Sequence, residues 1–155
     1  MFAVASKPKI YSLGQIFPSP AGSTFDNGGG KIIYLDASNR HGWAVSLKYW
    51  ANTYTWNEVI ATDNTFDDNW GPWRVPSESE FNTYVRPMWN GTATDYLPWN
   101  QGSWPSSNVG QCDSIYLRDV VNATEGRRYI TGTDSFGNWY KTNAGTACKF
   151  WIREF

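Results

Sequence analysis

Apolar and polar positions along this chain fall into short blocks, and turn-forming residues separate the blocks. An apolar run around Ile10 to Ile16, flanked by Pro8, Pro18 and Pro20, predicts one short strand and then a loop. The tract Asn27-Gly28-Gly29-Gly30 reads as a turn, because repeated glycine reaches positive φ without steric cost. Two β-type runs follow, 32–35 and 43–47, and the turn-rich connector 36–42 predicts an antiparallel hairpin between them. Thr55-Trp56-Asn57-Glu58 places a threonine at an N-cap and a glutamate three residues on, ahead of Val59 and Ile60, which predicts a short helix. Ser77-Glu78-Ser79-Glu80 repeats that signature. Phe81, Tyr84 and Val85 then supply one apolar helical face, and Pro87 stops it. Residues 63–71 read as a polar loop, and 89–111 as a long ordered loop. Strands are expected at 114–120, 128–131, 138–141 and 148–153, with turns at 132–137 and 143–145.

Composition narrows the class. The length of 155 residues fits one principal domain. Aromatic residues reach 17%, far above what a disordered chain carries. A formal net charge of -1 gives no basic footprint for nucleic acid and no polybasic segment for an anionic membrane. No apolar run approaches the roughly 20 residues of a membrane helix, so membrane insertion is not expected. Residues 1–9 lack the charged and apolar regions of a signal peptide. A virion protein, released by lysis, would need none, so the expected location is extracellular or on a virion surface.

Three stretches together resemble a known family. One is Gly30-Lys31-Ile32-Ile33-Tyr34-Leu35-Asp36 with His41-Gly42-Trp43-Ala44-Val45-Ser46-Leu47. The second is Gly71-Pro72-Trp73-Arg74-Val75-Pro76-Ser77-Glu78-Ser79-Glu80-Phe81, and the third is the closing Lys149-Phe150-Trp151-Ile152-Arg153-Glu154-Phe155. They are similar to the bacterial domains called Fib-succ-major or Lcl C-terminal-like, of the C-type-lectin-like fold. The resemblance implies an α+β architecture with two short helices on small antiparallel sheets and a long irregular loop region. It spans 28–155 and leaves 1–27 as an N-terminal strand and loop, or assembly segment. The wider fold includes sugar-binding lectins, formylglycine-generating enzymes, and variable proteins of diversity-generating retroelements, some of them phage receptor-binding proteins. Fold alone does not choose among these.

Catalytic and metal chemistry is poorly represented. His41 is the single histidine and sits in the predicted hairpin turn; no zinc-ligand spacing occurs. Asp63, Asp67, Asp68 and Asn69 are clustered enough to weigh as calcium ligands, but a solvated acidic loop explains them as well. Neither a Gly-x-Ser-x-Gly elbow nor an acid/base pair stands out. Cys112 and Cys148 either form a bridge, contributing about 3–4 kcal/mol in the chain-entropy model, or remain separate buried thiols. They could also mimic the cysteine pair of the formylglycine-generating branch. No cofactor and no metal are expected.

Binding residues are better represented. Trp89, Asn90, Tyr96, Trp99, Asn100, Gln101, Trp104 and Asn108 crowd the long loop, and Asp134, Trp139 and Tyr140 lie in the late strands. Tyr and Trp bring rigid contact area, and Asn brings adaptable hydrogen bonds. The same rings would serve equally as core. The function expected is non-enzymatic recognition of a cell-surface protein or glycan, in the manner of a phage or retroelement-diversified receptor-binding protein. The alternatives are a structural or assembly component of a virion or surface appendage, in which the chain would form a homo-oligomer or pack in the virion, and an enzyme like the formylglycine-generating ones.

Overall fold

The computed structural model describes residues 10–17, 29–46, 50–62, 73–87, 114–130 and 133–155, with backbone alone at 16–17, 50–52 and 148. In chain order its elements are β1 (Ile16–Phe17), β2 (Gly30–Leu35), β3 (Gly42–Ser46), β4 (Trp50–Tyr54) and helix α1 (Trp56–Ile60). Helix α2 (Glu78–Glu80) continues directly into a π-helical turn (Phe81–Val85). Then come β5 (Ser114–Val120), β6 (Glu125–Ile130), β7 (Ser135–Tyr140), β8 (Gly145–Lys149) and β9 (Ile152–Glu154). The strands form two sheets, ordered β1-β2-β3-β9 and β4-β8-β5-β6-β7. The architecture is therefore α+β, with two small sheets and few short helices.

The hairpin, both capped helices and the strand at 114–120 lie where the pattern predicts them. Other expectations need correction. The run 148–153 is not one strand: β8 ends at Lys149 in the second sheet and β9 begins at Ile152 in the first. Phe150 and Trp151, both buried and in different core clusters, form the link by which the chain crosses from the second sheet to the first. The sheets are also not purely antiparallel, because β8 runs parallel to β5. Strand β7 starts at Ser135, inside the segment expected to be a turn, and β6 starts three residues early at Glu125. Strand β4 was not anticipated; its five residues are held by antiparallel pairing with β8.

The core forms in two clusters because neighbouring strand residues face opposite ways. One cluster joins Ile33 and Val45 of the first sheet to Phe81 and Val85 and to Ile115, Leu117 and Tyr129 of the second. The π-helical turn that continues α2 is thus wedged between the sheets by Phe81 and Val85. The other joins Ile32, Trp73 and Trp151 to Trp56 and Val59 of α1 and to Tyr116. Trp56 also donates its indole N–H to the Leu117 carbonyl at 2.8 Å, fixing α1 on β5. Part of the N-terminal segment is built into the first sheet, since β1 pairs with Gly30 and Lys31.

Candidate binding face

Helix α2 begins with a complete capping box. The Ser77 hydroxyl accepts from the Glu80 N–H at 3.1 Å, and the Glu80 carboxylate accepts from the Ser77 N–H at 2.9 Å. The same carboxylate takes both outer nitrogens of Arg74, whose backbone is bridged to Ile152 of β9. Burial by itself would raise the Glu80 carboxyl; the hydrogen bonds from Arg74 and Ser77 outweigh it and hold it below the usual carboxylate range. One glutamate therefore ties the helix start to the first sheet.

The other glutamate ties it to the second. Glu78 accepts from Arg127 Nη2 at 2.8 Å and from Arg127 Nε, and this hydrogen bonding holds its carboxyl below the usual range. The same pair raises the Arg127 guanidinium. Arg127 Nη1 reaches on to the Asn138 side-chain oxygen at 2.8 Å. The Glu78 N–H donates to Asp119 of β5.

Past Glu80 the helix widens into the π-turn, and the Arg86 N–H bonds back to the Phe81 carbonyl. Arg86 donates Nη1 to Asn82 at 2.9 Å and Nε to the Asp134 carboxylate at 2.8 Å, which raises its guanidinium. Asp134 occupies the β6–β7 turn at a φ of 49°, a left-handed position that aspartate tolerates. Its carboxylate also accepts from the Tyr129 hydroxyl at 2.8 Å. The Arg86 guanidinium lies 5.5 Å from the centre of the Phe136 ring.

Between α2 and the second sheet these groups leave an open groove of about 510 Å³, lined by Glu78, Ser79, Asn82, Arg86, Asp119 and Phe136. Phe136 is half-buried and packs on Phe81 and Tyr129, so its ring is a rigid part of the lining. Strand alternation puts Phe136, Asn138 and Tyr140 on one face of β7. Tyr140 is 54% exposed. The face offers the Asn82 amide and Ser79 hydroxyl as donors, the Asp119 carboxylate as acceptor, and two aromatic rings. The one histidine, His41, lies in the β2–β3 turn and is not part of this lining.

Of the residues singled out from sequence, Asp134 and Tyr140 border this face. Trp139 points to the other face of the sheet, where its N–H donates to the Asn143 carbonyl at 2.8 Å and its ring packs with the Trp56 cluster. Trp89, Asn90, Tyr96, Trp99, Asn100, Gln101, Trp104 and Asn108 lie outside the described residues, as do Cys112 and the Asp63, Asp67, Asp68 and Asn69 cluster. The Cys148 backbone pairs with Ala51 and Ile115. Among the described residues no three His, Cys, Asp or Glu side chains gather as metal ligands. Sequence reasoning gave Glu78 only a helix-start role and missed Arg86, Arg127 and Asp119. Their partners are 41 to 49 residues distant along the chain, where no local pattern reaches. Neither the protein-family models nor the curated proteins compared with this chain match it.

Proposed function

We propose that this chain is a non-enzymatic recognition domain of C-type-lectin-like fold, which binds a cell-surface protein or glycan through the face between α2 and β7. The observation that carries this reading is the state of the groove's charges. Glu78 and Arg86 are each held by a partner on the rim before any ligand arrives, so the groove is preorganised. Contact then falls to the Phe136 and Tyr140 rings and to the Asn82, Ser79 and Asp119 polar groups. That mixture suits recognition and supplies no activated nucleophile.

The aromatic and amide-rich segment 89–108 is read as the companion contact, through Trp99 and Trp104 above all. A phage or retroelement-diversified receptor-binding protein is the setting that this composition and the sequence resemblance favour.

The test uses the labelled chain on arrayed glycans and on a panel of bacterial cells. Asn82→Ala with Tyr140→Ala should weaken binding by about tenfold or more, because a few anchors carry most of the affinity. Both side chains are exposed, so the thermal midpoint should stay within about 2 °C. Unchanged binding in that double variant would remove this face from the reading.

A further inference from the structure

Strand β7 closes the second sheet on one side, and among the described residues no strand lies beyond it. It is the longest of the four edge strands, six residues against two in β1, five in β4 and three in β9. Its backbone has a defined facing. The Lys141 N–H donates to the Thr124 carbonyl at 2.8 Å, one step beyond the Glu125–Tyr140 pair. Antiparallel ladders alternate from there. Ser135, Gly137 and Trp139 therefore turn their N–H and C=O groups toward β6, while Phe136, Asn138 and Tyr140 turn theirs outward. The Tyr140 carbonyl accepts from the Asn143 N–H at 3.1 Å in the following turn. The outward groups of Phe136 and Asn138 meet no backbone partner among the described residues.

Edge strands are normally blunted by charge, proline, a bulge or shortness. Strand β7 has none of these. Ser-Phe-Gly-Asn-Trp-Tyr holds no charged residue and no proline, and its six pairs with β6 run without a register shift. By contrast, β9 is short and takes an antiparallel bridge from Arg74. An edge left open in this way is a template for another strand.

The residue order says which strand fits. Laid antiparallel on itself about Asn138, the segment sets Asn138 opposite Asn138 and Phe136 opposite Tyr140. These are the outward-facing residues, so their pairs exchange the backbone bonds. The ring pairs lie on the groove side, where cross-strand aromatic pairs stabilise a sheet. They also cover Tyr140, which is 54% exposed. On the other side Gly137 falls opposite Trp139, a glycine covered by a ring. That side is otherwise filled from within: Arg128 stacks 4.2 Å from the Trp139 ring centre, and Lys141 Nζ lies 5.3 Å from that of Trp56.

We propose that β7 pairs antiparallel with β7 of a second copy of this chain, about a two-fold axis at Asn138. Edge meets like edge, so the contact is isologous and closes at two copies. It brings Tyr140 of the second copy beside Phe136, and each groove is then lined in part by the other chain. That last consequence rests on the groove reading; the pairing itself does not.

Sedimentation velocity of the full chain from about 5 to 500 µM should show monomer passing to dimer, because one strand per copy is a small interface. Hydrogen exchange on the ¹⁵N-labelled chain should slow at Phe136 and Asn138 as concentration rises, and stay constant at Gly137 and Trp139. Asn138→Lys and Asn138→Asp each set like charges opposite one another and should weaken the dimer by about fivefold or more. Mixed in equal amounts, the two variants should pair at least as tightly as the parent. Asn138→Asp keeps an oxygen for Arg127 and carries the test alone if Asn138→Lys does not fold. Asn82→Ala should sediment as the parent does, so failure of the groove and failure of the dimer are separable. A monomer at every concentration, or variants that dimerise as the parent does, would overturn the proposal. Variants that weaken the dimer singly and do not recombine would overturn the axis at Asn138. A peptide of alternating threonine and valine that protects Phe136 and Asn138 in a chain that stays monomeric would assign the edge to a foreign strand instead.

Discussion

At Gly30 the Trp73 indole occupies the place where a Cβ would stand, and the Val45 carbonyl oxygen is 2.7 Å from it. Trp73 is fully buried, so neither neighbour can give way cheaply. Gly30→Ala should therefore cost about 1–3 kcal/mol of unfolding free energy in a denaturant titration, the range for overpacking a tight site. Gly126 meets the Trp56 indole in the same way and should respond alike. Tyr116 is a second residue with a measurable signature. Burial pushes its phenol up to about 12, and its hydroxyl donates to the Tyr54 carbonyl at 3.1 Å. A phenol raised in the folded state contributes stability below its unfolded value of about 10 and loses it as pH climbs toward the folded value. Absorbance titration at alkaline pH should show a late-ionising tyrosine component, which Tyr116→Phe should reduce. Tyr116→Phe should flatten the fall in stability above pH of about 10.

Helix α2 is short, and its position depends on its two glutamates rather than on length. Ser77→Ala removes one half of the capping box and should cost about 1 kcal/mol. Glu80→Gln breaks the Arg74 pair that joins the helix to the first sheet, at about 1–3 kcal/mol for a hydrogen bond to a charged group. Both Glu78 and Glu80 are lowered in the folded chain. Such carboxylates stabilise the fold above their unfolded value of about 4.3, and that contribution is lost as pH falls through their lower folded values. Stability should fall as acid is added below pH of about 4, and the fall should be shallower in Glu80→Gln than in the parent chain.

The same elements show where sequence reading succeeds. Capping boxes at Thr55 and Ser77 were legible because the partner lies three residues on. The hairpin was legible because its connector is short. Strand β4 was not, because Trp-Ala-Asn-Thr-Tyr is a strand only by virtue of β8 beside it. The division of β8 from β9 is a change of sheet, set by which strands lie beside each half, β4 and β5 beside β8 and β3 beside β9. Of the site, Asp134 and Tyr140 stood out as polar and aromatic residues in turn and strand, while Arg86 and Arg127 looked like ordinary surface charge.

On the scale of the molecule, α2 and the π-helical turn that continues it work as a rivet between two sheets, with Phe81 and Val85 of the turn in the core and the charged residues of α2 facing a groove. That leaves the second sheet with two dissimilar faces, one preorganised by ion pairs and one lined with cations stacked on rings. Alternation along β7 divides them: Tyr140 belongs to the first and Trp139 to the second. The most direct measurement is the binding of the labelled chain to the arrayed glycans and bacterial cells, beside its Asn82→Ala, Tyr140→Ala variant at matched thermal midpoint. The account predicts a surface that retains the parent chain and releases the variant. It is contradicted if no cell or glycan in the panel retains the parent, or if both proteins are retained alike.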